Sequence, residues 1–159
     1  MSLDCKVIHK KHGGNTGLDR ENKLHIRDLI SGSGSDAADS GGVYFFIADE
    51  ISDTGFIMKT VLDLMNKGCN AFYFSGKYKD IWHKTVEDVF NQSNAECENL
   101  RSCDSIDDAA REAAGFMNSG RDVYLFCDSR SLCSVLIDKI REREMHVSFH
   151  IGSLLNSME

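Results

Sequence analysis

The chain has 159 residues, close to the roughly 150 of one average domain. Its hydrophobic share of 42% and charged share of 27% lie near globular averages, which excludes a disordered, collagen-like or coiled-coil protein. The net charge of -7 argues against a nucleic-acid partner, because binding to a phosphate backbone depends on clustered basic residues.

Residues 1–42 are predicted to form an N-terminal arm that precedes the main domain. Within this arm, residues 6–9 are predicted as an edge strand and residues 24–30 as a short helix. A stretch rich in serine and glycine, typical of a flexible connector, begins at residue 31. Disorder is the alternative interpretation for residues 10–23 and 31–42.

Three uninterrupted apolar runs predict strands that are buried on both faces. They lie at residues 43–48, 71–74 and 123–127, and none of them alternates with polar residues. This pattern is typical of the centre of a parallel sheet covered by helices on both sides. Two weaker strands are predicted at residues 96–100 and 147–151.

Four helices are predicted between these strands, each with a stripe of apolar residues at helical spacing. The third is expected to begin after Ser105 as its N-cap, and Gly68 and Gly120 are expected to end the first and third. Strands and helices therefore alternate over residues 43–159. Alternation of this kind predicts an α/β fold, a doubly wound and mainly parallel five-stranded sheet with helices on both faces, in a Rossmann-like or flavodoxin-like three-layer arrangement.

Chemistry-bearing residues follow the predicted strands. In a doubly wound sheet, ligands bind outside the carboxyl ends of the strands, at the topological switch point. Hydroxyls, glycines and helix starts at that edge favour an anion, because unpaired N–H groups and the positive helix end face it. The predicted ligand-binding residues are Ser52, Asp53, Thr54, Gly55, Ser75, Gly76 and Ser129.

Three carboxylates belong to the same predicted edge: Asp49, Glu50 and Asp128. They would repel a bare phosphate but would accept one accompanied by Mg²⁺, which favours a few carboxylates together with water and phosphate oxygens. We therefore predict them as magnesium ligands. A simpler interpretation stays open, in which the hydroxyl and acidic residues of this edge only cap the adjacent helices or are solvated rim charges.

Two phosphate-binding patterns fall within one predicted loop. The acidic pair and the Thr-Gly pair of residues 49–55 resemble the phosphoribosyl-pyrophosphate loop of phosphoribosyltransferases. That resemblance implies that the acids hold a ribose and that the Thr-Gly pair holds its 5′-phosphate. The spacing Ser52-x-Thr54-Gly55 is also similar to the phosphate-binding loop of flavodoxins.

Two further resemblances concern the order of segments. Residues 48–50, 74–76, 123–129 and 149–154 resemble, in that order, the middle motifs of two-lobed RNA or DNA helicases. The order of elements in residues 43–159 is similar to the nicotinamide-binding half of ferredoxin reductases. Because four different families resemble one chain, the common element is topology, which does not define function.

The six cysteines include no C-x-x-C pair, so neither a zinc ribbon nor a thioredoxin-like motif is expected. Cys127 and Cys133 are predicted as reduced thiols that pack in the core. No apolar run reaches the roughly 18 residues of a membrane-spanning helix, and the first residues lack the apolar core of a secretory signal. We therefore expect a cytoplasmic protein with no membrane partner.

These patterns predict a small binding domain for a phosphorylated small molecule or a nucleotide, with Mg²⁺ as the candidate cofactor. One alternative is a non-catalytic interaction or regulatory module on a degenerate enzyme fold. Another is an enzyme domain separated from its partner domain. Whether the protein is an enzyme, and whether it forms a homo-oligomer, stays open on sequence grounds.

Overall fold

The structure is a computed structural model, and it describes residues 23–29 and 41–157, with side chains described as far as residue 143. Its five strands are β1 (Leu24–Asp28), β2 (Val43–Ile47), β3 (Ala71–Ser75), β4 (Asn99–Ser102) and β5 (Val123–Cys127). Its four helices are α1 (Thr54–Asn66), α2 (Lys79–Ser93), α3 (Ile106–Asn118) and α4 (Arg130–Ser157). The strands form one sheet in the order β1-β5-β2-β3-β4, and every neighbouring pair is parallel.

The centre of the sheet consists of the three apolar runs predicted from the sequence. Every residue of β2, β3 and β5 is buried. Alternate residues of each strand point to opposite faces, so Tyr44 and Phe46 pack in one layer of the core and Phe45 and Ile47 in the other. This double burial explains why the runs lack polar residues.

The two faces of the sheet are covered by different helix pairs. Buried residues of α1 and α2, among them Ile57 and Trp82, pack on one face. Buried residues of α3 and α4, among them Ala110 and Leu136, pack on the other. The predicted three-layer α/β arrangement is therefore confirmed.

Two predicted elements are wrong. The helix predicted at residues 24–30 is wrong, because Leu24–Asp28 is strand β1, which pairs with β5 at the edge of the sheet. Buried and half-buried residues alternate along it, as expected for an edge strand. Residues 147–151 do not form a strand, because their backbone lies inside α4. The chain contains no proline, and the first glycine after Arg130 is Gly152, so no helix-stopping residue interrupts α4 before that point.

The remaining differences concern boundaries. The strand predicted at residues 96–100 is β4, which begins three residues later, at Asn99. The strand predicted at residues 6–9 lies outside the described residues, and so does the connector predicted from residue 31, apart from its last two residues, Gly41 and Gly42. Among the helices that the structure describes, none is both long enough and apolar enough to cross a membrane.

Candidate functional site

The topological switch point lies between β2 and β5, which are neighbours in the sheet. The helix after β2 packs on one face and the helix after β5 on the other, so the two strand ends border one crevice. Asp49 and Asp128, which follow these two strands, meet there. The backbone N–H of Asp49 donates to Oδ1 of Asp128 at 2.8 Å. The sequence pattern correctly predicted that these two residues lie at the same edge of the sheet.

The Asp128 carboxylate is the anchor of this edge. Its residue is only 5% exposed, and its Oδ2 accepts the backbone N–H groups of Glu50 at 3.0 Å and Ile51 at 2.8 Å. With the bond from Asp49, three consecutive amides of the loop between β2 and α1 point at one carboxylate. Consecutive N–H groups that converge in this way form an anion-binding nest. The anion held in this nest is a side chain of the protein itself.

The same loop is fixed from the opposite side by α2 and the turn before it. The indole N–H of Trp82 donates to the carbonyl oxygen of Ile51 at 2.9 Å. The backbone N–H of Lys77 donates to Oδ1 of Asp49 at 3.1 Å, and the N–H of Tyr78 donates to the carbonyl of Ala48 at 2.8 Å. The loop between β2 and α1 is therefore held by elements on both sides of the crevice.

The turn after β3 packs closely on this loop. Gly76 has a φ of 101°, and a Cβ atom at this position would lie 2.6 Å from the carbonyl oxygen of Ala48. Only glycine fits both constraints without strain. Ser75, which ends β3, is 2% exposed, so its side chain is not presented to solvent. Of these two predicted ligand-binding residues, Gly76 thus has a clear structural role in bringing the two loops together.

The helix-capping interpretation is confirmed at two positions. Asp53 is the N-cap of α1, and its Oδ2 accepts the backbone N–H of Phe56 at 2.9 Å. Ser129 precedes α4, and its Oγ accepts the N–H of Leu132 at 3.3 Å. Capping explains the presence of these two residues without a ligand.

The other predicted residues of this edge face solvent. Ser52, Thr54 and Gly55 are exposed at the start of α1. The first amides of a helix have no partner within the helix, and the positive end of the helix dipole adds to their attraction for anions. The start of α1 therefore presents hydroxyl groups and backbone N–H groups in the segment that follows the amides bonded to Asp128.

The edge as a whole is acidic. Asp28 ends β1 there, and Asp49, Glu50 and Asp128 follow the two central strands. The ion pairs found among the described side chains include none of Asp49, Glu50 and Asp128. Bases near these carboxylates include Lys77 on the turn after β3, whose ammonium group lies over the Tyr78 ring at 5.2 Å, and Arg130, the exposed first residue of α4. Such an edge attracts cations and repels a bare anion.

Within the described part of the chain, no three histidine, cysteine, aspartate or glutamate side chains are grouped as a metal site. Asp128 already accepts hydrogen bonds at both oxygens, whereas Asp49 is half-buried and Glu50 is exposed. Mg²⁺ is commonly held by one or two carboxylates together with water and phosphate oxygens. Of the three predicted ligands, Asp49 and Glu50 are therefore the two suited to that role.

Three features were not found by sequence reasoning. The first is the hydrogen bond from the indole of Trp82 to the loop. His83 Nδ1 lies 2.7 Å from Ser102 Oγ at the carboxyl end of β4, in a contact that joins residues 19 positions apart. The sulfur atoms of Cys127 and Cys133 lie 2.8 Å apart. All three contacts depend on how separate elements pack, so no spacing pattern in the chain signals them.

Comparison of the chain with protein-family models, with curated proteins and with solved structures gave no match.

Proposed function

We propose that this domain binds a phosphorylated small molecule or a nucleotide together with Mg²⁺ at the switch point between β2 and β5. The observation that carries the proposal is the convergence of three amides of one loop on the Asp128 carboxylate. These bonds hold the loop that carries Asp49 and Glu50 and leads into the exposed start of α1.

The acidity of the edge supports a metal-assisted ligand over a free anion. A phosphate approaching Asp49, Glu50 and Asp128 would be repelled unless a cation accompanied it. Mg²⁺ bound by Asp49 or Glu50 would keep several waters and accept phosphate oxygens as further ligands. The phosphate would then lie at the first turn of α1, close to the hydroxyls of Ser52 and Thr54 and the backbone of Gly55.

The test is a thermal-shift experiment on the full chain with MgCl₂ alone, ATP alone, inorganic phosphate alone, and MgCl₂ with ATP. At a ligand concentration 100 times the dissociation constant, the stabilisation is about 2.7 kcal/mol. For a domain of this size, that corresponds to a rise in Tm of about 5 to 11 °C. We expect this rise with MgCl₂ and ATP together, and little change with ATP or phosphate alone.

Two variants locate the effect. Asp49→Asn and Glu50→Gln each remove one candidate ligand of the metal, and each should reduce the shift. Asp63→Asn is the matched control, because Asp63 is exposed on α1 but lies well beyond its first turn. A shift that is equally large with ATP alone, or one that Asp63→Asn reduces as much as Asp49→Asn, contradicts the proposal.

A second candidate function follows from the occupation of the nest. Nests of backbone N–H groups commonly bind anions, and here the Asp128 carboxylate occupies the nest while Asp53 and Ser129 cap the adjacent helices. A fold whose anion site is closed by its own side chains fits a non-catalytic interaction or regulatory module. This candidate predicts no thermal shift with any of the four additions and self-association in light scattering.

A further inference from the structure

Two cysteines meet in the core beside the proposed site. Cys127 ends β5, and Cys133 lies in the first turn of α4, where its backbone N–H donates to the carbonyl of Ser129. Their sulfur atoms are 2.8 Å apart, below the roughly 2.9 to 3.0 Å typical of an N–H···O hydrogen bond, although sulfur is the larger atom. Both residues are buried, at 0% and 1% exposed.

We infer that Cys127 and Cys133 form a redox-active dithiol that a small-molecule disulfide such as oxidised glutathione converts to an intrachain disulfide. A disulfide bond is about 2.05 Å long, so the two sulfur atoms would need to approach by only about 0.8 Å. The sequence separation alone did not indicate this pairing, because it matches no redox motif. The inference does not depend on the proposed ligand.

The hydrogen bond between the two thiols gives them different roles. Cys127 donates its S–H to the sulfur of Cys133. Burial first, and then the neighbouring Cys133, raise the pKa of Cys127 well above its ordinary value, so Cys127 keeps its proton. Cys133 is therefore the sulfur that attacks first.

Access also favours Cys133. It lies in the first turn of α4, which begins with the exposed residues Arg130 and Ser131. Helix ends open more readily than the centre of a sheet, so local opening of this turn would expose Cys133 while β5 stays in place. Cys127, at the end of a fully buried strand, would react second.

The reaction balances in two steps of thiol–disulfide exchange. The Cys133 sulfur attacks one sulfur of the oxidised glutathione, the glutathione S–S bond breaks, and one glutathione leaves as a thiol that carries the proton of Cys133. A mixed disulfide remains. The Cys127 sulfur then attacks Cys133, and the second glutathione leaves with the proton of Cys127. Two protein thiols are oxidised, and one glutathione disulfide is reduced to two thiols.

The position of the pair links its redox state to the neighbouring loop. Asp128 directly follows Cys127, so a bond from Cys127 to Cys133 would close a short ring around the residue that holds the loop between β2 and α1. Closing a ring restricts the conformations open to the chain within it. Oxidation would therefore restrict the segment that carries Asp128.

The test uses the full chain, which is first reduced, then freed of reductant and incubated folded in a buffer of reduced and oxidised glutathione. Acid quenching, denaturing alkylation and mass spectrometry then count the free thiols, and peptide mapping identifies any link. We expect two fewer alkylated cysteines out of six and a peptide in which Cys127 is bonded to Cys133. Cys133→Ser should lose this link completely. Cys103→Ser, which alters another buried thiol of the same core layer, should retain it.

The peptide map of the unmodified protein decides the question even where a cysteine variant folds poorly. The inference is overturned if the folded protein keeps all its thiols, if the link joins other cysteines, or if it forms only in urea. A loss of two thiols that persists in folded Cys133→Ser also overturns it.

Discussion

Replacing Asp128 with asparagine tests the anchor of the candidate site with little change in shape. The carboxylate accepts three backbone N–H groups, one at Oδ1 and two at Oδ2. An asparagine amide offers only one oxygen, and its NH₂ group can only donate. In the better orientation, the oxygen keeps the bonds from Glu50 and Ile51, and the NH₂ group faces the N–H of Asp49, where two donors oppose each other.

The expected loss of stability can be worked from these contacts. A hydrogen bond to a charged group contributes about 1.5 to 3 kcal/mol and a neutral one about 0.5 to 1.5 kcal/mol. Asp128→Asn loses one charged bond and weakens two, while relief from burying a charge offsets part of this loss. We expect the free energy of unfolding to fall by about 3 kcal/mol, or the Tm by about 6 to 12 °C.

Urea unfolding followed by tryptophan fluorescence is the assay. The chain has a single tryptophan, Trp82, which is fully buried and donates to the loop at Ile51, so its emission reports on both the fold and the loop. Asp49→Asn is the matched control. It makes the same chemical change at a half-buried residue, whose side chain accepts the N–H of Lys77, a bond that an asparagine oxygen can still accept.

The free energy of unfolding of the control, Asp49→Asn, should fall by less than about 1 kcal/mol. The role assigned to the Asp128 charge is refuted if the free energy of unfolding of Asp128→Asn lies within about 0.5 kcal/mol of that of the unmodified protein, or if the two variants are destabilised equally. Either result would mean that the loop does not depend on the Asp128 charge.

Two further predictions concern other parts of the fold. Gly76→Ala should lower the free energy of unfolding by more than about 1 kcal/mol, because its positive φ and the nearby carbonyl of Ala48 leave no room for Cβ. Gly115→Ala should instead raise the free energy of unfolding by up to about 1 kcal/mol, because Gly115 lies on the exposed side of α3 with open space around it. Measured Tm values of the two variants check both predictions. A higher Tm for Gly76→Ala than for Gly115→Ala would contradict them. Arg121 holds the pKa of Glu98 below its ordinary value, so this pair should stabilise the fold at neutral pH by less than about 1 kcal/mol, an effect lost as the pH falls through the lowered pKa. Urea midpoints of Glu98→Gln and the unmodified protein should therefore differ at neutral pH and converge in acid, and a gap that widens in acid would contradict this assignment.

The central strands were predictable because their environment leaves a direct mark on composition. A strand buried on both faces needs apolar residues at every position, and the runs that became β2, β3 and β5 show this without interruption. The edge strand β1 shows only a short alternation, which over five residues is hard to distinguish from a helical stripe. Its place in the sheet depends on pairing with β5, about 100 residues away.

The site was predictable only in part, for a related reason. Parallel topology brings the ends of β2 and β5 together, so the meeting of Asp49 and Asp128 follows from the strand pattern. Whether the Asp128 carboxylate points at solvent or at backbone amides depends on contacts across 77 to 79 residues of chain. For Cys127 and Cys133, the apolar surroundings in the sequence predicted burial. The contact between their sulfur atoms could not be predicted, because it depends on how α4 packs against β5.

The most direct test of the proposed function is NMR mapping of ¹⁵N-labelled protein titrated with ATP in the presence of MgCl₂. The proposed site predicts saturable shifts of amides in the loop between β2 and α1, at the first turn of α1 and around Ser129, and much smaller shifts with ATP alone. Shifts confined to the opposite end of the sheet, or none at all, would contradict a ligand site at the carboxyl edge.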